Sequence, residues 1–236
     1  MPTVAVVIIG NEILTGKFAD ENTPWLVQQL RSLGADLKRV SIVPDEVDVI
    51  ADEVRRARAT CDLVITTGGV GPTHDDVTLA GIAAALGVPL VRHPDLESIL
   101  RARMGDACNA AALRMAEVPA GAELCWQGQA GWPLVVAGGV HIFPGVPRLL
   151  QQKFVGVAER FRGTPVTTSR WTTTETEPAI ADTLTEASER WPEVAIGSYP
   201  RFETTPRTVI VTMESRDPDA LAACADFLRT RIPGVS

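Results

Sequence analysis

Cysteine is scarce in this chain. The four cysteines, Cys61, Cys108, Cys125 and Cys224, are far apart and show no CxxC spacing. That excludes a zinc ribbon or a disulfide framework and fits reduced thiols in a cytoplasm. An excess of basic charge is missing too: 22 Lys and Arg stand against 29 Asp and Glu, a net charge of −7. No overall positive field therefore draws the chain to nucleic acid or to an anionic membrane. No apolar run reaches the length of a transmembrane helix. The N-terminal MPTVAVVIIG lacks the basic and long apolar stretches of a signal peptide and is expected to form a first buried strand. Neither the Walker A pattern nor GxGxxG occurs, no Ser-His-Asp or Cys-His arrangement stands out, and there is no internal repeat or low-complexity segment.

What is present is 236 residues, 45% hydrophobic and 22% charged, ordinary for a globular protein and enough for one large α/β domain or a core with a smaller companion. The β-branched run at 4–9 predicts a central parallel strand. A loop at 10–16 follows. Helical spacing then predicts helices over 22–33, 47–59, about 76–86, 94–104, 107–115 and 148–160, and strands over 36–43, 62–67 and 140–143. Two shorter strands are expected within 119–125 and 134–136, with a hairpin-like excursion over 128–133. Strands alternating with helices imply βαβ units, right-handed crossovers and a mostly parallel sheet. From about 164 the composition shifts to Thr and β-branched residues, and a β-α-β-β-α order predicts a small α+β domain of split-βαβ kind. The boundary is expected near 161–163, giving domains 1–162 and 163–236.

Residues 62–80, DLVITTGGVGPTHDDVTLA, carry the strongest signal. A buried strand runs out into Gly68-Gly69-Val70-Gly71-Pro72, a turn that lets backbone approach a ligand, and Thr73, His74, Asp75, Asp76 and Thr78 crowd the start of the next helix. Ligands of open parallel sheets bind at the carboxyl ends of strands, and a glycine turn leading into a helix offers N–H groups to phosphate. Adjacent aspartates oppose an anion unless a metal ion or a donor-rich substrate offsets them. Thr67, Gly68, Gly69, Gly71, Thr73, Thr78 and the two aspartates together thus suggest metal-assisted chemistry on a phosphorylated ligand, with Asp75 equally readable as a helix cap.

Three other strand ends belong to the same sheet edge. Gly10-Asn11-Glu12 offers Glu12 as a metal ligand or hydrogen-bond acceptor, or else a solvated loop. Pro44-Asp45-Glu46 offers Asp45 as a site carboxylate or a helix cap. Phe143-Pro144-Gly145-Val146-Pro147-Arg148 is a rigid turn, with Arg148 placed to meet phosphate. His74 is the one histidine inside these loops, suited to proton transfer or phosphate binding, whereas His93 and His141 read as structural.

TTGGVGPTHDDVT, with GNEILTG upstream and FPGVPR downstream, resembles the molybdopterin-binding domain superfamily, and most closely the N-terminal domain of competence/damage-inducible protein A (CinA-type) proteins. The likeness covers about residues 3–160, and IGSYP and VIVTMES resemble the small domain that follows in such proteins. It implies a three-layer α/β/α core and a cytoplasmic homo-oligomer, dimer or trimer. It implies that Asp76 matches a functionally important Asp of the molybdenum-cofactor adenylyltransferases, that Asp45 matches another, and that Glu12 matches the acidic residue of the GNEIL signature. It also implies divalent-metal-dependent hydrolysis of pyrophosphate bonds in ADP-ribose and related dinucleotides, with Mg²⁺ or a similar ion held by Asp75 and Asp76. Asn11 and His74 depart from the usual pattern, which has Asp or Thr and Arg there. With the chain ending at 236, the amidase domain of full-length CinA proteins is expected to be absent.

Three readings compete. One is a nucleotide pyrophosphatase using Asp76, Asp45, Asp75 and His74. Another is a molybdopterin-binding protein or adenylyltransferase that takes the pterin in the same pocket. The last is a non-catalytic nucleotide- or partner-binding module, with no nucleic acid or membrane as partner.

Overall fold

A computed structural model describes residues 1–126, 131–203 and 206–234. The first part of the expected excursion, 128–130, lies outside the described residues. Contacts divide the chain into two units, Met1–Gly163 and Thr164–Ser236.

The first unit is built on a sheet in which β1 (Thr3–Ile9), β2 (Asp36–Val43), β3 (Leu63–Thr67) and β8 (Val140–Phe143) run parallel, in the order β2-β1-β3-β8. β7 (Leu134–Ala137) and β6 (Glu123–Cys125) extend it as an antiparallel edge. From Val4 to Ile9 β1 is apolar throughout because both faces are covered, and the two-residue period of a strand divides it. Ala5, Val7 and Ile9 pack with Ile50, Val54 and Ile82 of α3 (Val47–Thr60) and α4 (Thr78–Leu86). Val4, Val6 and Ile8 pack with Leu26, Leu30, Leu150 and Phe154 of α2 (Asn22–Ser32) and α7 (Pro147–Val155). Each such buried side chain contributes roughly 1.5–3 kcal/mol. The result is an α/β/α sandwich. No helix among the described residues is long and apolar enough to cross a membrane.

Several boundaries differ from those the sequence predicts. The expected loop after β1 contains a helical turn, α1 (Asn11–Leu14). The helix expected from about residue 76 starts at Thr78, because the Asp76 carboxylate accepts from the Thr73 N–H and hydroxyl and closes a tight turn first. The strand expected over 119–125 is two short strands, β5 (Glu117–Pro119) and β6, parted at Gly121 with φ +81°. β5 pairs antiparallel with β4 (Leu90–Arg92), which three residues are too few to announce by alternation. Between them lie α5 (Pro94–Met104), as expected, and the short α6 (Ala110–Arg114). α7 stops at Val155, and a 3₁₀ turn, Ala158–Phe161, replaces the rest of the expected helix.

The second unit comprises β9 (Thr167–Thr173), α8 (Glu177–Arg190), β10 (Ala195–Arg201), β11 (Thr208–Ser215) and α9 (Pro218–Arg231). β11 lies between β10 and β9 and is antiparallel to both, so β9 and β10 run parallel across it, joined by α8. Val209, Val211 and Met213 face Ile180, Leu221 and Leu228 in its core. Asp217 caps α9, accepting from the N–H groups of Asp219 (3.0 Å) and Ala220 (3.1 Å).

His141 in β8 is 2% exposed, packs on Phe161 at 4.9 Å, and has neither ring nitrogen bonded among the described residues. Burial, helped by the Arg160 guanidinium, pushes its pKa down to about 4 from the ordinary 6.5. Between those two values the unfolded chain binds a proton that the fold refuses, so stability falls as pH drops through that window. The loss amounts to about 3 kcal/mol across it. His141→Leu is expected to flatten the fall in melting temperature between pH 7 and 4.5. An unchanged slope in thermal denaturation would contradict this.

Candidate functional site

The four parallel strands deliver their C-terminal ends to one edge of the sheet, as the topology requires. Gly10 and Glu12 follow β1, Asp45 follows β2, the 68–76 turn follows β3, and Pro144 and Gly145 follow β8. Backbone and side chains lace these ends together. Gly10 N–H donates to Val43 O (3.1 Å), Asn11 N–H to Asp45 Oδ2 (2.8 Å), and Thr67 Oγ1–H to Pro144 O (3.0 Å).

The glycines of the turn have different duties. Gly68 has φ +108°, and a Cβ on it would stand 1.9 Å from Ile9 O. Its N–H is taken by Phe143 O at 3.3 Å, so Gly68, expected to bind ligand, offers no free N–H to one, and its lack of a side chain lets β1, β3 and β8 close together. Gly145 belongs to the same packing, since a Cβ there would lie 3.2 Å from Gly68 Cα. Thr78 Oγ1–H donates to Gly68 O (2.8 Å) and its N–H to Gly69 O (3.1 Å), so Thr78 pins the turn from below. The N–H groups of Gly69, Val70 and Gly71, by contrast, donate to no acceptor among the described residues. Three successive free donors form a concavity for an anion.

Carboxylates crowd this concavity. Asp76 lies against Gly71, where a Cβ would stand 2.7 Å from its Oδ2. Asp45 backs onto Gly69, with Oδ1 3.3 Å from such a position, and Glu12 folds back over Gly10 at 2.6 Å. Burial first, then the charges of Glu12, Asp75 and Asp76, push the Asp45 pKa up, against the lowering effect of the Asn11 N–H. Asp75 points outward: it is 63% exposed, accepts from Thr73 Oγ1–H at 2.6 Å, and that hydroxyl lowers its pKa. His74 is 98% exposed and 3.9 Å from Asp75.

These loops open into a cleft of about 1070 Å³, at the upper end of the range for small-molecule sites. Of the residues the sequence singled out, Glu12, Thr67, Gly68, Gly69, Gly71, Asp76, Pro144 and Gly145 line it. Asp45, Thr73, His74, Asp75, Thr78 and Arg148 do not. Arg148, expected to meet phosphate, is exposed and does not line the cleft, whereas Leu149, Gln152 and Lys153 of the same helix do. The cations lining the cleft are Lys153 and Arg103.

Asn22, at the start of α2, also lines the cleft and was not singled out by the sequence. Its buried Nδ2 donates to Gly145 O (2.7 Å) and Thr67 Oγ1 (3.2 Å), while Oδ1 has no partner. An Asn inside the first turn of an amphipathic helix gives no signal of its own. Asn22→Ala would leave the buried Thr67 hydroxyl and the Gly145 carbonyl without their donor and is expected to cost about 1–3 kcal/mol, read as a lowered urea midpoint.

Fold and site define an open α/β domain with a cleft at the carboxyl edge of a parallel sheet. The chain belongs to the family described as "Probable molybdopterin binding domain", whose model matches residues 5–165. A second model, "FAD synthase, middle domain", matches residues 165–236. A protein of Archaeoglobus fulgidus is 33% identical over 212 residues, 90% of each chain. A CinA-like protein of Anaeromyxobacter sp. (strain K) is 38% identical over 61% of this chain and 37% of its own length. The crystal structure of CinA from Thermoplasma acidophilum, titled as of unknown function, superposes with a TM-score of 0.62 at 28% identity, over 68% of this chain and 99% of that one. The first unit is therefore a CinA-type domain of the molybdopterin-binding superfamily.

Proposed function

We propose that this chain hydrolyses the pyrophosphate bond of ADP-ribose or a related dinucleotide, with a divalent cation such as Mg²⁺. The observation that carries the reading is the row of free N–H groups at Gly69, Val70 and Gly71 beside Glu12, Asp45 and Asp76. The amides accept phosphate oxygens. The carboxylates call for a cation between them and that phosphate: burial raises the Asp45 pKa first, and the charges of Glu12, Asp75 and Asp76 add to it.

No group of three or more His, Cys, Asp or Glu converges as a metal cage among the described residues. The hard oxygen set of Asp76, with Asp45 and Glu12 directly or through water, fits a hydrated ion completed by substrate phosphate. Asp75, turned outward, would act on such an ion only through its field. A bound ion would polarise the phosphoryl group and acidify a water. Asp45, which does not line the cleft, would act on the ion and the attacking water through its charge from behind the turn. Water adds to one phosphorus, the P–O–P bond breaks, and ADP-ribose yields AMP and ribose 5-phosphate.

The test is purified protein with ADP-ribose and with FAD, each with Mg²⁺ or Mn²⁺ and with chelator, followed by chromatography of the products. Metal-dependent AMP release is the expected result. The family description favours a second reading, molybdopterin binding in the same cleft. Molybdopterin retained by a protein that leaves ADP-ribose intact would establish that one instead.

A further inference from the structure

The cleft has an apolar rim that this chemistry leaves unused. Phe18, Met104, Val146 and Leu149 all line it, and all four are exposed. Single apolar side chains in water are ordinary, whereas several gathered on one cleft mark a surface that a ligand covers. Phe18 is the aromatic one of the four and the most exposed, at 60%. Its ring belongs to neither core cluster of the first unit. Lys17 Nζ stands 5.8 Å from the ring centre, and no other ring or cation contacts it among the described residues. A flat apolar face of this kind offers nothing to a phosphate or a sugar, which carry charge and hydroxyls. It suits another flat ring, which covers it by stacking.

The backbone fixes where this ring stands. Phe18 N–H donates to Glu12 O (3.1 Å), so the loop after α1 folds back onto the residues that follow β1. At its far end Asn22 Nδ2–H donates to Gly145 O (2.7 Å) and ties the loop to the turn after β8. The amide cradle follows β3, the neighbour of β1 in the sheet. One strand spacing, about 5 Å, therefore parts the two segments, a span of the order of the ribose between a base and its 5′-phosphate. We propose that Phe18 is the stacking platform for the base of the bound nucleotide. The cleft then holds a nucleotide at both ends, the phosphate on the free amides and the base on the ring. This rests on the reading of the 69–71 turn as the place of the phosphate.

The experiment measures binding alone, so it stands apart from any hydrolysis assay. AMP, adenosine and ribose 5-phosphate, which is AMP without its base, are titrated into the full chain by calorimetry in the presence of Mg²⁺. AMP is expected to bind about tenfold or more tightly than ribose 5-phosphate, the scale of one base stacked on an aromatic ring. Phe18→Ala is expected to remove most of that advantage and to leave the affinity for ribose 5-phosphate as it was. Phe18→Tyr, which keeps a ring, is expected to preserve the advantage. Phe18→Leu, which keeps apolar bulk without a ring, is expected to lose it. Equal affinity for AMP and ribose 5-phosphate overturns the proposal, and so does an advantage that persists in Phe18→Ala. Adenosine bound as tightly as AMP, with the same loss in Phe18→Ala, would uphold the platform and undercut the phosphate reading of the turn instead.

Discussion

Asp76→Asn is expected to lower metal-dependent cleavage of ADP-ribose by about 10²–10³-fold or more, the scale on which single charge-stabilising groups act in catalysis. The amide keeps one carbonyl oxygen for the Thr73 N–H and hydroxyl that now bond Asp76 Oδ2, so the turn holds its shape. It removes the negative charge nearest the free N–H groups of Gly69 to Gly71. It also removes one of the charges that raise the Asp45 pKa. The metal-free melting temperature is therefore expected to hold or rise slightly at pH 7, while the stabilisation produced by added Mg²⁺ disappears. Asp75→Asn is the comparison: its carboxylate is turned to solvent, and activity is expected to stay within a few-fold of wild type. If Asp76→Asn keeps full turnover, the carboxylate has no part in the chemistry and the pyrophosphatase reading loses its centre.

Gly68→Ala is expected to be the most damaging single substitution in the turn. The residue sits at φ +108°, and a Cβ would stand 1.9 Å from Ile9 O, with the Ile9 Cα at 3.6 Å. The obstacle is backbone of the central strand, buried in both faces of the core, so it has no room to yield. Separating β1 from β3 would break packing on each side of the sheet. The cost is expected to exceed about 4 kcal/mol, a large share of the 5–15 kcal/mol that holds a typical domain together. Gly87→Ala isolates the backbone part of this effect. Gly87 is also at positive φ, +68°, yet a Cβ there meets nothing within 4 Å. It is expected to cost only about 1–2 kcal/mol. Urea denaturation of the two variants reads the difference directly, and equal midpoints would show that the contact with Ile9 is easily relieved.

Much of the edge was legible in the chain because it is written in periods and punctuation. β2, α5 and β8 have the bounds the pattern predicts, since alternating or continuous apolar runs end there in Pro, Gly or Asp. Parallel order then brings the ends of β1, β2, β3 and β8 to one edge, so the convergence of Glu12, Asp45 and the 68–76 turn follows from topology. Signals shorter than one period were not legible. α1 is four residues, β4 and β5 three each, and at that length neither a helical stripe nor an alternation can be told from a loop.

By itself the sequence determined the α/β class, the mostly parallel sheet, the split-βαβ order of the second unit and the edge on which chemistry gathers. These depend on where apolar side chains recur and where the backbone must turn, both of which are local. Only tertiary structure decided what each residue at that edge does. Neighbouring aspartates look alike in a string, but Asp76, held by the Thr73 N–H, lies in against Gly71, while Asp75, which shares the Thr73 hydroxyl, stays in solvent. Adjacent glycines look alike too, yet Gly68 is spent on the packing of β1 against β3 while Gly69 and Gly71 keep free donors. Arg148, the cation next to the motif, does not line the cleft, whereas Lys153 and Arg103, from two separate helices, do. Which donors stay unpaired and which charges meet depends on contacts between segments far apart in the chain, and no local pattern encodes them.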